Sequence, residues 1–243
     1  MVRRVWKSLL GCAVGYRNPR ERRGEMSEKT SLFQGLKEQF STKAVVLIPI
    51  AVGVNVIGGT LSSVLKLPVF LDTIGTIVIA CLAGPWVAAL TGLLTNVFLA
   101  MVANPVYLPY AIVSVLCALT VGYMVKAGLF KKVWGVVLIW LALTLVNAVS
   151  ASIVTYFVFG GATGVNATSF LTASLVAATR EIFASVLTSA LLENLLDKGI
   201  SILIAYVIVK KIPRRFISQY QAGATSTTTN EVVRFDDEDD DDF

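Results

Sequence analysis

The sequence predicts an all-α integral membrane protein, a bundle of six transmembrane helices with a partly helical outer loop before the last one. Three observations carry that expectation. Of the 243 residues, 55% are hydrophobic and only 15% charged, and the mean hydropathy is +0.72. From Ala44 to Val209 the apolar runs are long enough to cross a bilayer several times, since one crossing takes about 20 residues. Charge is segregated: ten Lys/Arg and four acids stand in residues 1–43, and eight acids face Arg234 alone in residues 231–243.

The first element is a basic leader, residues 1–43, expected to be cytoplasmic. No secretory signal is legible there, because the first strongly apolar run starts at Ala44 and has no small-residue cleavage pattern behind it. Met26-Ser27-Glu28-Lys29 has the look of a translation start, an alternative to Met1. The membrane domain, residues 44–215, follows. Gly, Pro and charge divide it into spans over 44–63, 68–84, 85–103, 107–126, 132–158 and 188–210. Gly84-Pro85-Trp86 separates the second and third spans, with Pro opening a helix and Trp suited to an interface. Residues 216–243 read as a solvated, disordered acidic tail.

Orientation comes from Lys and Arg, which are enriched in loops kept in the cytoplasm. The leader, the Lys126–Lys132 link and the Lys210–Arg215 exit are basic, which places both termini inside the plasma membrane and calls for an even number of crossings. Residues 170–187 are apolar enough to imitate a seventh span. The basic exit argues against one, so 170–187 are read as a helical segment that folds back on the outer side, with Arg180 and Glu181 on it.

Four acids remain in the domain: Asp72, Glu181, Glu193 and Asp197. Glu193-Asn194-Leu195-Leu196-Asp197-Lys198 interrupts the last span. At 1.5 Å per residue, Lys198 lies about 18 Å and Glu193 about 25 Å from Lys210. Ionisable groups at that depth mark a ligand path or a structural ion pair, such as Lys198 with Asp197 or Asp72. Other polar residues gather at the same outer side: Asp72, Asn96, Asn104, Tyr107 and Tyr110, while Asn55 and Asn147 fall near mid-span. That distribution suits an outward-opening pocket with apolar walls and a few placed hydrogen-bond groups. A four-residue spacing of Ala80, Gly84, Ala88, Gly92 and Asn96 marks close helix approach, either within the bundle or to a membrane partner.

Several chemistries lack their residues. There is no phosphate-binding Gly-rich loop ending in Lys and Ser/Thr, no His-Glu-x-x-His and no Gly-x-Ser-x-Gly. The chain has no histidine, and Cys12, Cys81 and Cys117 fall in separate segments. No metal, cofactor or nucleic-acid partner is indicated, and an enzyme is not expected.

Leu67-Pro68-Val69-Phe70-Leu71-Asp72-Thr73-Ile74-Gly75-Thr76, then Leu82-Ala83-Gly84-Pro85-Trp86, Asn104-Pro105-Val106-Tyr107-Leu108-Pro109-Tyr110 and Glu193–Lys198 with the basic exit occur in order over residues 44–215. This series resembles the substrate-binding S components of energy-coupling factor (ECF) transporters. The resemblance implies a membrane protein that captures a vitamin or related micronutrient from outside, for instance of the pyridoxine, hydroxymethylpyrimidine or cobalamin kind. It implies as partners a transmembrane coupling subunit and two ABC-type ATPases, which hydrolyse the ATP. By the same resemblance Asp72, Asn104, Tyr107, Glu193, Asn194 and Lys198 are expected at the ligand, with Glu193 and Lys198 fixing any charged group. Asn96, Arg180 and Glu181 join them by position. Many members carry Ala-x-x-x-Ala on the first helix toward the coupling subunit. The nearest equivalents here are Ala51 and Asn55 with Gly53 and Gly58. Rival readings are a self-sufficient carrier using the same acids as ion sites, and a sensory membrane domain.

Overall fold

The computed structural model describes residues 39–164 and 167–213; the acidic tail and nearly all of the basic leader lie outside them. Seven α-helices and two 3-10 turns occur among the described residues, with no strand. Helix α1 is Thr42–Val64, α2 Ile74–Ala83, α3 Pro85–Val102, α4 Ala111–Lys126, α5 Val133–Phe159, α6 Thr168–Thr179 and α7 Ile182–Lys211. The 3-10 turns, Pro105–Tyr107 and Leu129–Lys131, lead into α4 and α5.

Helix α1 begins at Ser41, whose Oγ accepts the Ala44 N–H at 3.2 Å, the usual remedy for the unpaired amides of a first turn. Its inner stripe includes Leu47, Ala51, Asn55 and Gly59, whereas Val46, Ile50, Ile57 and Val64 on the other side are exposed. A helix with an apolar outward face is built for a hydrocarbon surround rather than water. Helices α1, α3 and α5 are long and apolar enough to cross a membrane, and α7, with 30 residues, is longer still but carries Glu193, Asp197 and Lys198.

Two expectations need correction. The predicted span 68–84 is helical only over Ile74–Ala83, about 15 Å of helix, half of what a crossing takes. Residues 65–73 approach it as irregular backbone, with Lys66 (φ 51°) and Leu71 (φ 53°) in the left-handed region. Nine of the ten residues of α2 are buried, so α2 is the centre of the bundle, packed on α1, α3, α4 and α7. Secondly, the helix expected to start at residue 188 starts at Ile182. Of the stretch 170–187 expected to fold back, the first part belongs to the helix Thr168–Thr179, ended by Arg180 in the left-handed conformation (φ 60°).

The Gly84-Pro85 break forms as read: Gly84 sits at φ 90° and Pro85 is the first residue of α3. The spaced small residues serve contact within the chain. A side chain at Gly92 would press on the Ser114 backbone of α4, and Ala88 and Asn96 are fully buried. Two other glycines stand against backbone beside the irregular segment: a Cβ on Gly58 would strike the Leu71 carbonyl oxygen, and one on Gly75 the Ala51 carbonyl oxygen. Between them these glycines let α1 lie directly against the irregular segment and α2. A dry core of Ile77, Val87, Ile139 and Leu143 fills the middle of the bundle.

Candidate functional site

Lys126, Lys131, Lys132, Lys210 and Lys211 stand at one end of the bundle, where α4 and α7 stop and α5 begins. The opposite end is organised by α7. Asp197, fully buried, extends its Oδ1 to the N–H groups of Phe70 (2.9 Å) and Leu71 (2.8 Å). Successive amides turned toward one carboxylate form a small anion nest, and the left-handed φ of Leu71 is what turns them. This explains why no helix forms over 68–73. Pro68 has no N–H, and the next amides that a helix would use are held by Asp197.

The other oxygen of Asp197 pairs with Lys198 Nζ at 2.7 Å, and that ammonium also donates to Thr73 Oγ1 at 2.7 Å. Thr73 Oγ1 in turn donates to Asp72 Oδ1 at 3.0 Å. Asp197, Lys198, Thr73 and Asp72 thus form one chain that fastens the irregular segment to the last helix. Both charges of the ion pair are buried, which is tolerable only because each is paired and hydrogen-bonded. The structural ion pair is therefore present, between neighbours on α7.

Above this chain lies a cavity of about 100 Å³. Phe70, Asp72 and Thr73 enter it from the irregular segment, Asn96 from α3, Tyr107 and Tyr110 from the approach to α4, and Asn147 and Thr155 from α5. Helix α6 covers one side with Thr168 and Thr172, and α7 supplies Ser189, Glu193, Asn194 and Lys198. Most polar groups are held in place. Asn147 Nδ2 donates to Asn194 Oδ1 at 2.7 Å, the Tyr110 hydroxyl meets Thr155 Oγ1 at 2.6 Å, and Asn96 Nδ2 donates to Ser114 Oγ at 2.5 Å. Thr172 and Ser189 join α6 to α7 through their hydroxyls at 2.6 Å. Thr168 Oγ1, by contrast, is buried with no hydrogen-bond partner among the described residues. Tyr107 lies edge-on to Phe70, and Tyr110 stacks on Phe159. A polar solute bounded by aromatic faces, amides and hydroxyls suits such a lining.

The family model described as ECF transporter, substrate-specific component, matches residues 43–209. The chain belongs to that family. As a substrate-specific component it is a membrane protein of transport and not itself an enzyme, and membership implies association with an ECF coupling subunit and ATPases. Neither the curated proteins nor the solved structures contain a match to the chain.

In this ECF component the cavity brings together Asp72, Asn96, Tyr107, Glu193, Asn194 and Lys198 from the sequence-predicted set. Three others lie off it. Asn104 caps the 3-10 turn, its Oδ1 accepting the Val106 N–H at 3.0 Å. Arg180 and Glu181 form the exposed break between α6 and α7. Of the residues expected at the coupling subunit, Ala51, Asn55 and Gly58 point into the chain's own interior. Asn55 donates to Thr76 Oγ1 (2.9 Å) and Thr95 Oγ1 (3.0 Å) and accepts the Gly75 N–H (2.7 Å). In that set Gly53 differs: among the described residues nothing lies within 4 Å of a Cβ built on it. Sequence reasoning passed over Thr73, Ser114, Thr155, Thr168, Thr172 and Ser189. The four-residue spacing Ser185, Ser189, Glu193, Asp197 was the available signal, since it puts all four on one face of α7.

Proposed function

We propose that this S component captures a vitamin or related micronutrient from outside the cell with high affinity and delivers it through an ECF importer. The observation that carries the reading is the joining of Phe70–Thr73 with Glu193–Lys198 around one cavity. These segments lie more than a hundred residues apart, and each was singled out by the family resemblance. The lysine-rich end is cytoplasmic by the positive-inside rule and the cavity end faces outward. The chain then crosses six times, through α1, α2 with its irregular lead-in, α3, α4, α5 and α7. Helix α6 lies over the outer mouth. Irregular backbone at membrane depth is admissible here because α7 satisfies it.

The lining favours a small polar molecule with a flat ring. Tyr107 and Phe70 provide faces, Asn96, Asn147 and Asn194 the amide groups, Thr168 an unused hydroxyl, and Glu193 a carboxylate for a ligand donor or cationic group. Lys198 forms the floor and orients Thr73 and Asp72. The coupling subunit meets the outward stripe of α1 at Gly53, where a close helix approach is open, and two ABC-type ATPases hydrolyse the ATP. Gentle solubilisation followed by mass spectrometry tests this. It is expected to return a vitamin-sized molecule with the chain, together with a larger helical subunit and two nucleotide-binding subunits; a chain that carries neither ligand nor partners would contradict it.

A further inference from the structure

A second concavity lies at the lysine-rich end, on the outside of the bundle between α5 and α7, with a volume of about 370 Å³. Its walls repeat at helical spacing on both sides: Val133, Val136, Val137 and Trp140 on α5, Gly199, Ile202, Leu203 and Tyr206 on α7. We propose that this groove holds one anionic phospholipid, with an acyl chain along Val137, Trp140 and Leu203 and the phosphate beside Lys132 and Lys210.

The groove is apolar and open to the surround, with Val133 75% and Leu203 64% exposed. Its depth is fixed by a missing side chain. A Cβ on Gly199 would come within 3.2 Å of the Trp140 indole nitrogen, and that indole is tied down by its N–H to the Leu195 carbonyl at 2.9 Å. From Val133 to Trp140 the trough runs about 10 Å, most of one leaflet's share of a roughly 30 Å hydrocarbon core. The headgroup-proximal part of an extended acyl chain lies along a slot of that length and meets no charged side chain in its walls.

The mouth supplies the headgroup chemistry. Lys132 immediately precedes Val133, and Lys210 stands one helical turn beyond Tyr206. Lys132, Lys210 and Lys211 are exposed. Among the described residues the acids Asp72, Glu181, Glu193 and Asp197 lie at the middle of the bundle or toward the other end, so none of them neutralises these lysines. Basic residues flanking a cleft between membrane helices attract acidic headgroups, at about 1 kcal/mol for each lysine near the surface. The inference is independent of what the cavity at the other end binds.

Native mass spectrometry of the full chain in detergent, titrated with dioleoyl phosphatidylglycerol or dioleoyl phosphatidylcholine, tests it. The wild type is expected to retain one phosphatidylglycerol in preference to phosphatidylcholine. Lys132→Gln with Lys210→Gln is expected to weaken phosphatidylglycerol retention roughly tenfold or more, leaving phosphatidylcholine unchanged. Val137→Trp, which fills the slot, should abolish the preferred site at unchanged thermal unfolding. Equal retention of the two lipids by the wild type overturns the proposal. So does a lipid-free homodimer broken by Val137→Trp, which would make the groove an interface between copies.

Discussion

Oδ1 of Asp197, near the middle of the last helix, receives the backbone N–H of Leu71, 126 positions earlier in the chain, at 2.8 Å. One carboxylate thereby anchors the segment that floors the cavity, and its other oxygen neutralises Lys198. Removing it has two separable consequences.

Asp197→Asn keeps an oxygen for the two amides but takes from the buried ammonium of Lys198 the carboxylate it pairs with directly. That change is expected to cost about 3 kcal/mol or more, read as a fall in thermal unfolding temperature in detergent. Adding Lys198→Met to it removes the stranded charge and is expected to recover over half of the loss. Equal stability of single and double variants would show that the pair does not govern this end of the fold.

Asn55 does for α2 what a capping residue normally does from within a helix's own chain. Thr73, the residue before α2, makes no side-chain cap, and the Gly75 amide is taken by Asn55 from α1. Asn55→Leu strands that amide and loosens Thr76 and Thr95. A loss of about 1–3 kcal/mol is expected, measured by unfolding temperature, with no change in the membrane-inserted fraction.

The spans over α1, α3 and α5 were legible within a few residues because hydropathy, Gly84-Pro85 and the lysine links agree with one another there. The start of α2 was not. Pro68-Val-Phe-Leu-Asp-Thr73 runs its apolar Val, Phe and Leu straight into the apolar α2, and the partner that diverts its amides lies in another helix. The Arg180-Glu181 pair did mark a polar break, but propensity alone could not tell that the helix resumes at once at Ile182. Glu193, Asn194 and Lys198 stood out as charge and amide in apolar sequence. Thr168 and Thr172 did not, since threonine in a membrane helix more often bonds back to its own carbonyls, as Thr172 also does to Thr168.

Helix α1 has two faces with opposite tolerance. Gly75→Val drives a side chain into the Ala51 carbonyl and is expected to destabilise by about 1–3 kcal/mol. Gly53→Leu places its Cβ more than 4 Å from any atom it could meet among the described residues and should leave unfolding temperature and ligand affinity unchanged. In proteoliposomes containing the coupling subunit and ATPases, Gly53→Leu is expected to lower uptake. Full uptake by this variant would move the docking face elsewhere.

Uptake itself discriminates between modes of transport. Vesicles holding the chain alone are expected to bind ligand without accumulating it, and accumulation is expected only with the coupling subunit, both ATPases and internal ATP. Accumulation by the chain alone would make it a self-sufficient carrier.

The most direct test of the central claim is equilibrium binding of the co-purified small molecule to the wild type and to Glu193→Gln at matched unfolding temperature. Glu193 lines the cavity. The account predicts affinity about tenfold or more weaker in the variant, the loss of one charge-assisted hydrogen bond. Identical affinity for the two proteins would contradict it.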